Sequence, residues 1–255
     1  MRADNIDEVI DNLANIVNDA LRDGDRIGYF ASLYRQVTVA IRDAIQANEF
    51  DDGERMNRFD AAFGNRYFDA LDAWRRDQTG PDCWREAFRL VDDSNTIIVQ
   101  HLLLGVNAHI NLDLAIAAAV TSPGDAIRSL ERDFLLINDI LVSVLAQIQD
   151  ALAQVSPFMW LLDEFGGRTD ERILDFNIRT ARREAWQNAL LLAHQSDAER
   201  AETLKRLDTR ATLLAVLLAR PGGLSRPVIE LIRSSENPDV REVISHLNGA
   251  AGRRT

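Results

Sequence analysis

The stretch Gln100–Val120, QHLLLGVNAHINLDLAIAAAV, decides the fold. It holds no proline and is long enough for about six helical turns. Its apolar residues lie on every face instead of along one stripe. A surface helix is amphipathic, whereas a helix that is apolar all round belongs in the centre of a bundle. The stretch therefore reads as the fifth helix, about residues 95–120, at the core of an all-α fold. Its polar residues then carry information. His101, Asn107, His109, Asn111 and Asp113 each need a partner, a water or a metal inside the bundle, because buried polar groups are costly when unpaired.

Outward from this helix, 3.6-residue periodicity runs through nearly the whole chain, and no region keeps a two-residue alternation. A first helix spans about residues 5–22, with Ile6, Val9, Leu13 and Ile16 on one stripe, and ends at Gly24. A second, about 26–47, turns Phe30, Leu33, Tyr34, Val37 and Ile41 inward. A third, 54–76, packs Met56, Phe59, Phe63, Tyr67 and Leu71. Gly80-Pro81 opens a short fourth, since proline's missing N–H costs nothing at a helix start. Ser94 is the expected N-cap of the fifth helix, which stops at Ser122-Pro123-Gly124-Asp125. A sixth covers about 126–154. An irregular patch, Phe158 to Leu162, and Gly166-Gly167 precede a seventh from about Thr169 to His194. Ser196 and Glu199 form a capping box that starts the eighth. Two short helices follow Gly222-Gly223, the last opening at Asn237-Pro238, and the tail from Gly249 reads as frayed. The expected organisation is one multi-helix bundle of about eight main helices over residues 1–221, with a C-terminal helical appendage over 222–255.

Composition bounds the function. Acidic residues outnumber basic ones by 40 to 29, a net charge of -11, so a general electrostatic grip on nucleic acid is excluded. One cysteine, Cys83, rules out an internal disulfide framework or an iron–sulfur cluster. No phosphate-cradling, dinucleotide-binding or G-x-S-x-G motif is present, so no nucleotide, flavin or haem is expected. The N-terminal run MRADNIDEVIDNL has neither the basic region nor the apolar run of a signal peptide. The polar residues of the fifth helix argue against a membrane span. A cytoplasmic location is the resulting expectation.

Helical geometry narrows the site. His109 and Asp113 are four apart, about 40° and about 6 Å along the axis. That spacing suits two ligands of one metal, or a carboxylate orienting an imidazole. His101 lies about 12 Å and about 80° away, beyond reach of the same ion in an unbroken helix. It acts with another helix, or Gly105 marks a distortion that brings it closer. Gly105 also admits a neighbouring backbone or a ligand. Asp60, on the apolar stripe of the third helix, is the leading candidate for a ligand from a second helix. Tyr34, with Thr38, faces inward from the second. The structural alternative is a polar network in which His109 and Asp113 bond each other and lock the packing.

The run Gly105-x-Asn107-Ala108-His109-Ile110-x-x-Asp113-Leu114 resembles the hallmark of a bacterial family of unknown function. Tyr34-Arg35, Thr38, Asp60, Arg66-Tyr67-Phe68 and, downstream, Arg183 with Ala185-Trp186 are similar to the same family. Gly105, His109 and Asp113 also resemble the G-x-x-x-H-x-x-x-D helix of the all-helical zinc-dependent phospholipase C and nuclease group. This chain departs from that group in lacking its P-x-H and N-terminal tryptophan, and with four histidines it implies at most a reduced mono- or dinuclear site.

The resulting expectation is an interior site on the His101–Asp113 helix. In its most concrete form the protein is a divalent-metal-dependent hydrolase of an ester or phosphoester. Zinc or a similar ion would be held by His109, Asp113, Asp60 and His101, with His109, Asp113 and His101 catalytic. Asn107, Asn111 and Tyr34 would contact the small-molecule substrate, although the two asparagines face another side of the helix from His109. A metal-free acid/base enzyme for a small apolar metabolite is the alternative, with His109 oriented by Asp113. So is a non-catalytic binding or scaffold protein. Glu184 and Asp139 read as solvated, His194 and His246 as imidazoles placed at helix C-termini, Trp186 as core, and Cys83 as inert.

Overall fold

In the computed structural model the central stretch belongs to one continuous helix, Ile98–Thr121, whose most apolar window is 72% buried. Residues 1–159, 161, 178–220 and 225–249 are described, and among them the chain is helical with no strand. Trp160, Leu162, Gly166-Gly167, the expected helix start at Thr169, Gly222-Gly223 and the tail from residue 250 lie outside the described residues.

Helix α1 (Ile6–Asp23) is capped by the Asn5 side chain and ends at Gly24, whose φ of 69° is the left-handed conformation that glycine tolerates. It pairs with α2 (Ile27–Gln46) as a hairpin. Next come α3 (Gly53–Arg75) and the short α4 (Asp82–Arg89). The central helix comprises α5 (Ile98–Ala108), a π-helical turn (His109–Asp113) and α6 (Leu114–Thr121). A 3₁₀ segment, Gly124–Leu130, leads into α7 (Glu131–Val155). After the undescribed residues come α8 (Ile178–His194), α9 (Asp197–Ala219), α10 (Ser225–Ser235) and α11 (Val240–Asn248).

Helices α2, α4 and α9 pack on α5, while α3 and α8 pack on α6. The central helix thus has neighbours along both halves, as its all-round apolarity requires. Gly105 is where α2 comes closest. A Cβ there would lie 2.4 Å from Phe30 Cδ2, so the Phe30 ring occupies the space that any side chain would need. The expected distortion is present, but it falls at His109–Asp113 and not at Gly105.

Buried carboxylates tie the elements together. Asp133 on α7 accepts from the Arg55 guanidinium at 2.7 Å and from the backbone N–H groups of Asp51 and Asp52, docking α7 against the start of α3. Asp208 on α9 accepts from the Asp82 and Cys83 N–H groups, supplying the cap that Pro81 cannot give to α4. Ser196 and Glu199 form the expected capping box. Two expected helix starts move. Ser94 does not cap α5, which begins at Ile98; the Ile98 N–H instead donates to Glu236, at 2.9 Å. Asp239, not Asn237, caps the last helix.

The last helix packs against α1, α2 and α7. Val243, Ile244 and Leu247 of α11 are fully buried, and a Cβ on Gly28 would lie 2.6 Å from Ile244 Cδ1. Arg241 donates to the carbonyls of Leu21 and Arg22 at the end of α1. Burial pushes the Glu236 carboxyl up to about 7 where it meets the N-terminus of α5. By length and composition, Gly124–Val155 could also cross a membrane, with 28% of its most apolar window buried.

The packing at Gly105 yields the first prediction. Gly105→Ala removes a helix-weakening glycine, yet forces Phe30 to shift, so it should destabilise the protein by about 1–3 kcal/mol. Urea denaturation measures this, and a variant as stable as wild type would show that α2 has room to retreat.

Candidate functional site

Four elements bring polar side chains to one apolar cavity. The π turn brings His109, α2 Tyr34, α3 Asp60 and α8 Arg182; apolar residues such as Phe63 and Leu141 complete the walls. The cavity offers about 70 Å³ to the centres of water-sized molecules, several times the roughly 10–15 Å³ one water needs. Val37, Leu145 and Ile178 are half-buried and form its outer side.

His109 sits in an aromatic cage. Its ring stacks on Phe63 with centroids 3.6 Å apart and meets Tyr34 edge-on at 4.3 Å. Neither ring nitrogen has a hydrogen-bond partner among the described residues. Burial lowers its pKa, against the opposing pull of Asp113, so the imidazole is neutral at pH 7. Asp113 Oδ2 lies 3.7 Å from Nδ1, too long for a hydrogen bond but close enough to favour the proton on that nitrogen. The Nε2 lone pair is then free.

Asp113 is itself fully buried and committed elsewhere. Its Oδ2 accepts from the Trp84 indole at 2.8 Å, and its Oδ1 from Arg66 Nε at 3.3 Å. Trp84 and Arg66 were not foreseen as its partners, although Arg66 lies in one of the family-like segments. Asp60 is 2% exposed, its Oδ2 has no hydrogen-bond partner, and burial raises its pKa to about 7. The Tyr34 hydroxyl is likewise buried without a partner, and burial followed by the nearby Asp60 and Asp113 charges keeps it protonated.

The remaining expected site residues lie elsewhere. His101 meets Tyr29 edge-on at 5.7 Å, does not line the cavity, and is pulled down to about 4 by burial. Asn107 donates to the Ala211 carbonyl of α9 and accepts from Asn111, a packing link from the central helix to α9. Asn111 borders a separate, more polar cleft with Glu184, Asn188 and Arg210. The two asparagines therefore do not line the His109 cavity and link the central helix to α9.

The expected metal set does not fit either. Among the described residues no three His, Cys, Asp or Glu side chains converge as a metal-holding group. Asp113 already balances a guanidinium, and His101 is turned to Tyr29. Cys83 is buried, and burial raises its pKa, in keeping with an inert thiol.

Arg182 is a cavity-lining charged residue that the sequence reading did not single out. It shares the buried stripe of α8 with Ala185, Trp186 and Ala189, and an arginine on such a stripe was the available signal. Its Nε donates to Asn138 Oδ1 and Nη2 to the Phe134 carbonyl, both at 2.7 Å.

The architecture defines an all-helical bundle with a partly open cavity beside its central helix. The chain belongs to a family of unknown function (DUF5995), whose model matches residues 6–221. That span includes every residue of the cavity, whereas α10 and α11 follow it. No curated protein and no solved structure matches the chain.

Asp60 links this site to stability. An aspartate with a folded pKa of about 7 and a reference of 3.8 binds more protons folded than unfolded between those values. Its contribution is therefore fully present below about pH 4 and is lost as pH rises through 7. Relative to wild type, Asp60→Asn should gain stability from pH 4 to pH 8 by on the order of 3 kcal/mol. Urea titrations at both pH values measure this, and equal pH dependence in the two proteins would mean that Asp60 is solvated.

Proposed function

We propose that this protein is an acid–base enzyme that acts on a small, largely apolar metabolite held in the His109 cavity. The observation that carries the reading is that Tyr34, Asp60 and His109 surround one apolar cavity with their buried polar atoms unpaired. Native structures pair such atoms almost everywhere, and a bound molecule with oxygen functions would satisfy all three.

The chemistry follows from the different environments of the two titrating groups. His109 is neutral with a free lone pair, so it serves as the base. Asp60, titrating near 7, is substantially protonated at neutral pH and serves as the acid. A substrate carbonyl that accepts hydrogen bonds from Tyr34 and Asp60 has an acidified neighbouring carbon. His109 removes a proton there, the electron pair moves toward the carbonyl oxygen, and Asp60 delivers its proton to that oxygen. The reverse step regenerates the carbonyl. The surrounding apolar wall strengthens each of these interactions by excluding water. Asp113 acts through His109, holding its tautomer, and does not touch the substrate.

This reading differs from metal-assisted hydrolysis, whose ligand set the geometry leaves dispersed. It is tested by incubating the protein in D₂O with a panel of medium-chain ketones, aldehydes and keto acids. Deuterium incorporation beside the carbonyl is followed by mass spectrometry. Wild type should catalyse exchange, and His109→Gln and Asp60→Asn should each reduce it by at least about 100-fold while retaining the fold. Panel members that bind without exchanging above buffer would identify a non-catalytic binding protein instead.

A further inference from the structure

Arg182 stands out from the chain's other arginines. Its side chain is 3% exposed, it lines the cavity, and no carboxylate lies within ion-pair distance of it among the described residues. The other deeply buried guanidinium, that of Arg55, is matched by Asp133 at 2.7 Å. Removing a cation from water without a counter-charge is expensive. Burial lowers the Arg182 pKa to about 9, and no acidic neighbour among the described residues opposes it.

Of the five N–H groups of a guanidinium, two are taken by Asn138 and the Phe134 carbonyl. Those bonds, with the Phe134 ring 4.6 Å from the guanidinium carbon, fix the plane of the group. Three donors, both of those on Nη1 among them, have no partner among the described residues, and a guanidinium offers such donors to a carboxylate bidentately.

We infer that Arg182 is the anion-recognition residue of the cavity, and that the ligand is a monocarboxylic acid with an apolar body. The inference rests on the proposed ligand-binding role of this cavity and adds the class of molecule. One guanidinium balances one negative charge. A dianion such as a phosphate monoester would leave a net charge in an apolar space with no second cation among its described lining residues. The intervening wall, with Phe59, Ile137 and Leu141, suits an alkyl or aryl body. Asp60 and His109 line the same cavity, so the functional group they act on belongs to the same small molecule as the carboxylate.

The test measures binding, separately from turnover. Octanoate, its neutral counterpart octanamide, and octyl phosphate are titrated into the full chain by isothermal calorimetry. Arg182→Met and Arg182→Lys are examined beside wild type, and circular dichroism monitors their folding. Octanoate should bind wild type at least 10-fold more tightly than octanamide or octyl phosphate. Arg182→Met should abolish that preference while still binding octanamide, and Arg182→Lys should retain part of it. Equal binding of octanoate and octanamide to wild type would overturn the role of Arg182 and leave the apolar cavity reading intact. Tightest binding of octyl phosphate would overturn the carboxylate assignment. If none of the three binds, both readings fail. The comparison within wild type decides the matter even if Arg182→Met does not fold.

Discussion

The structure depends on one constraint: the central helix is buried over most of its length, 72% of its most apolar window. Every polar group it carries must be satisfied by protein or by something held in the protein. Its residues resolve this in two ways. Asn107 reaches the Ala211 carbonyl, Gln100 reaches the Leu218 carbonyl, and Asp113 takes the Trp84 indole and Arg66. These bonds fix α9, α4 and α3 around the axis. His109 is not resolved in this way. Its two nitrogens face no partner, and the residues around it leave further polar atoms open. The bundle is closed by its paired groups and made receptive by its unpaired ones.

Desolvation sets the electrostatics of the receptive part. No ion pair is needed to raise Asp60 toward neutrality or to keep His109 uncharged, since the apolar surroundings penalise the charged form of each. Arg182 is buried in the same way, with no counter-charge among the described residues. An acid, a base and a cation are thus held at odds with their surroundings in one cavity. Such an arrangement lowers stability, and natural proteins retain such costs where a ligand relieves them.

The fold class was legible because periodicity and the scarcity of proline and glycine are properties of sequence alone. The central position of the fifth helix followed from its all-round apolarity. Of the seven residues singled out, His109, Asp60 and Tyr34 meet at the cavity, and Asp113 lies beside them. Spacing on one helix could not show that Asp113 is occupied by Trp84 and Arg66, because those partners arrive from other helices. The same spacing did place Asn107 and Asn111 on another side of the helix from His109, and neither lines the cavity. Arg182 interrupts an apolar stripe on α8, but that pattern alone does not show which cavity it lines, because the other walls come from α2, α3, α7 and the central helix. Ser94 failed as a cap for a related reason: the donor group at the start of α5 is met by Glu236, from nearly 140 residues downstream.

The π turn has a consequence for how this core is phased. Each α-helical residue advances the side chain by about 100°, and a π turn accommodates one residue more than an α turn. The two halves of the central helix are therefore offset by a single-residue insertion. Downstream of it, Ala115, Ala118 and Ala119 are buried where α3 and α8 pack on α6, small enough to admit both helices closely. A chain with one residue fewer between 109 and 113 would close into an uninterrupted α-helix. It would swing this alanine face about a quarter turn away from its neighbours. The length of that segment, as much as its chemistry, is what sets the two halves of the bundle in register.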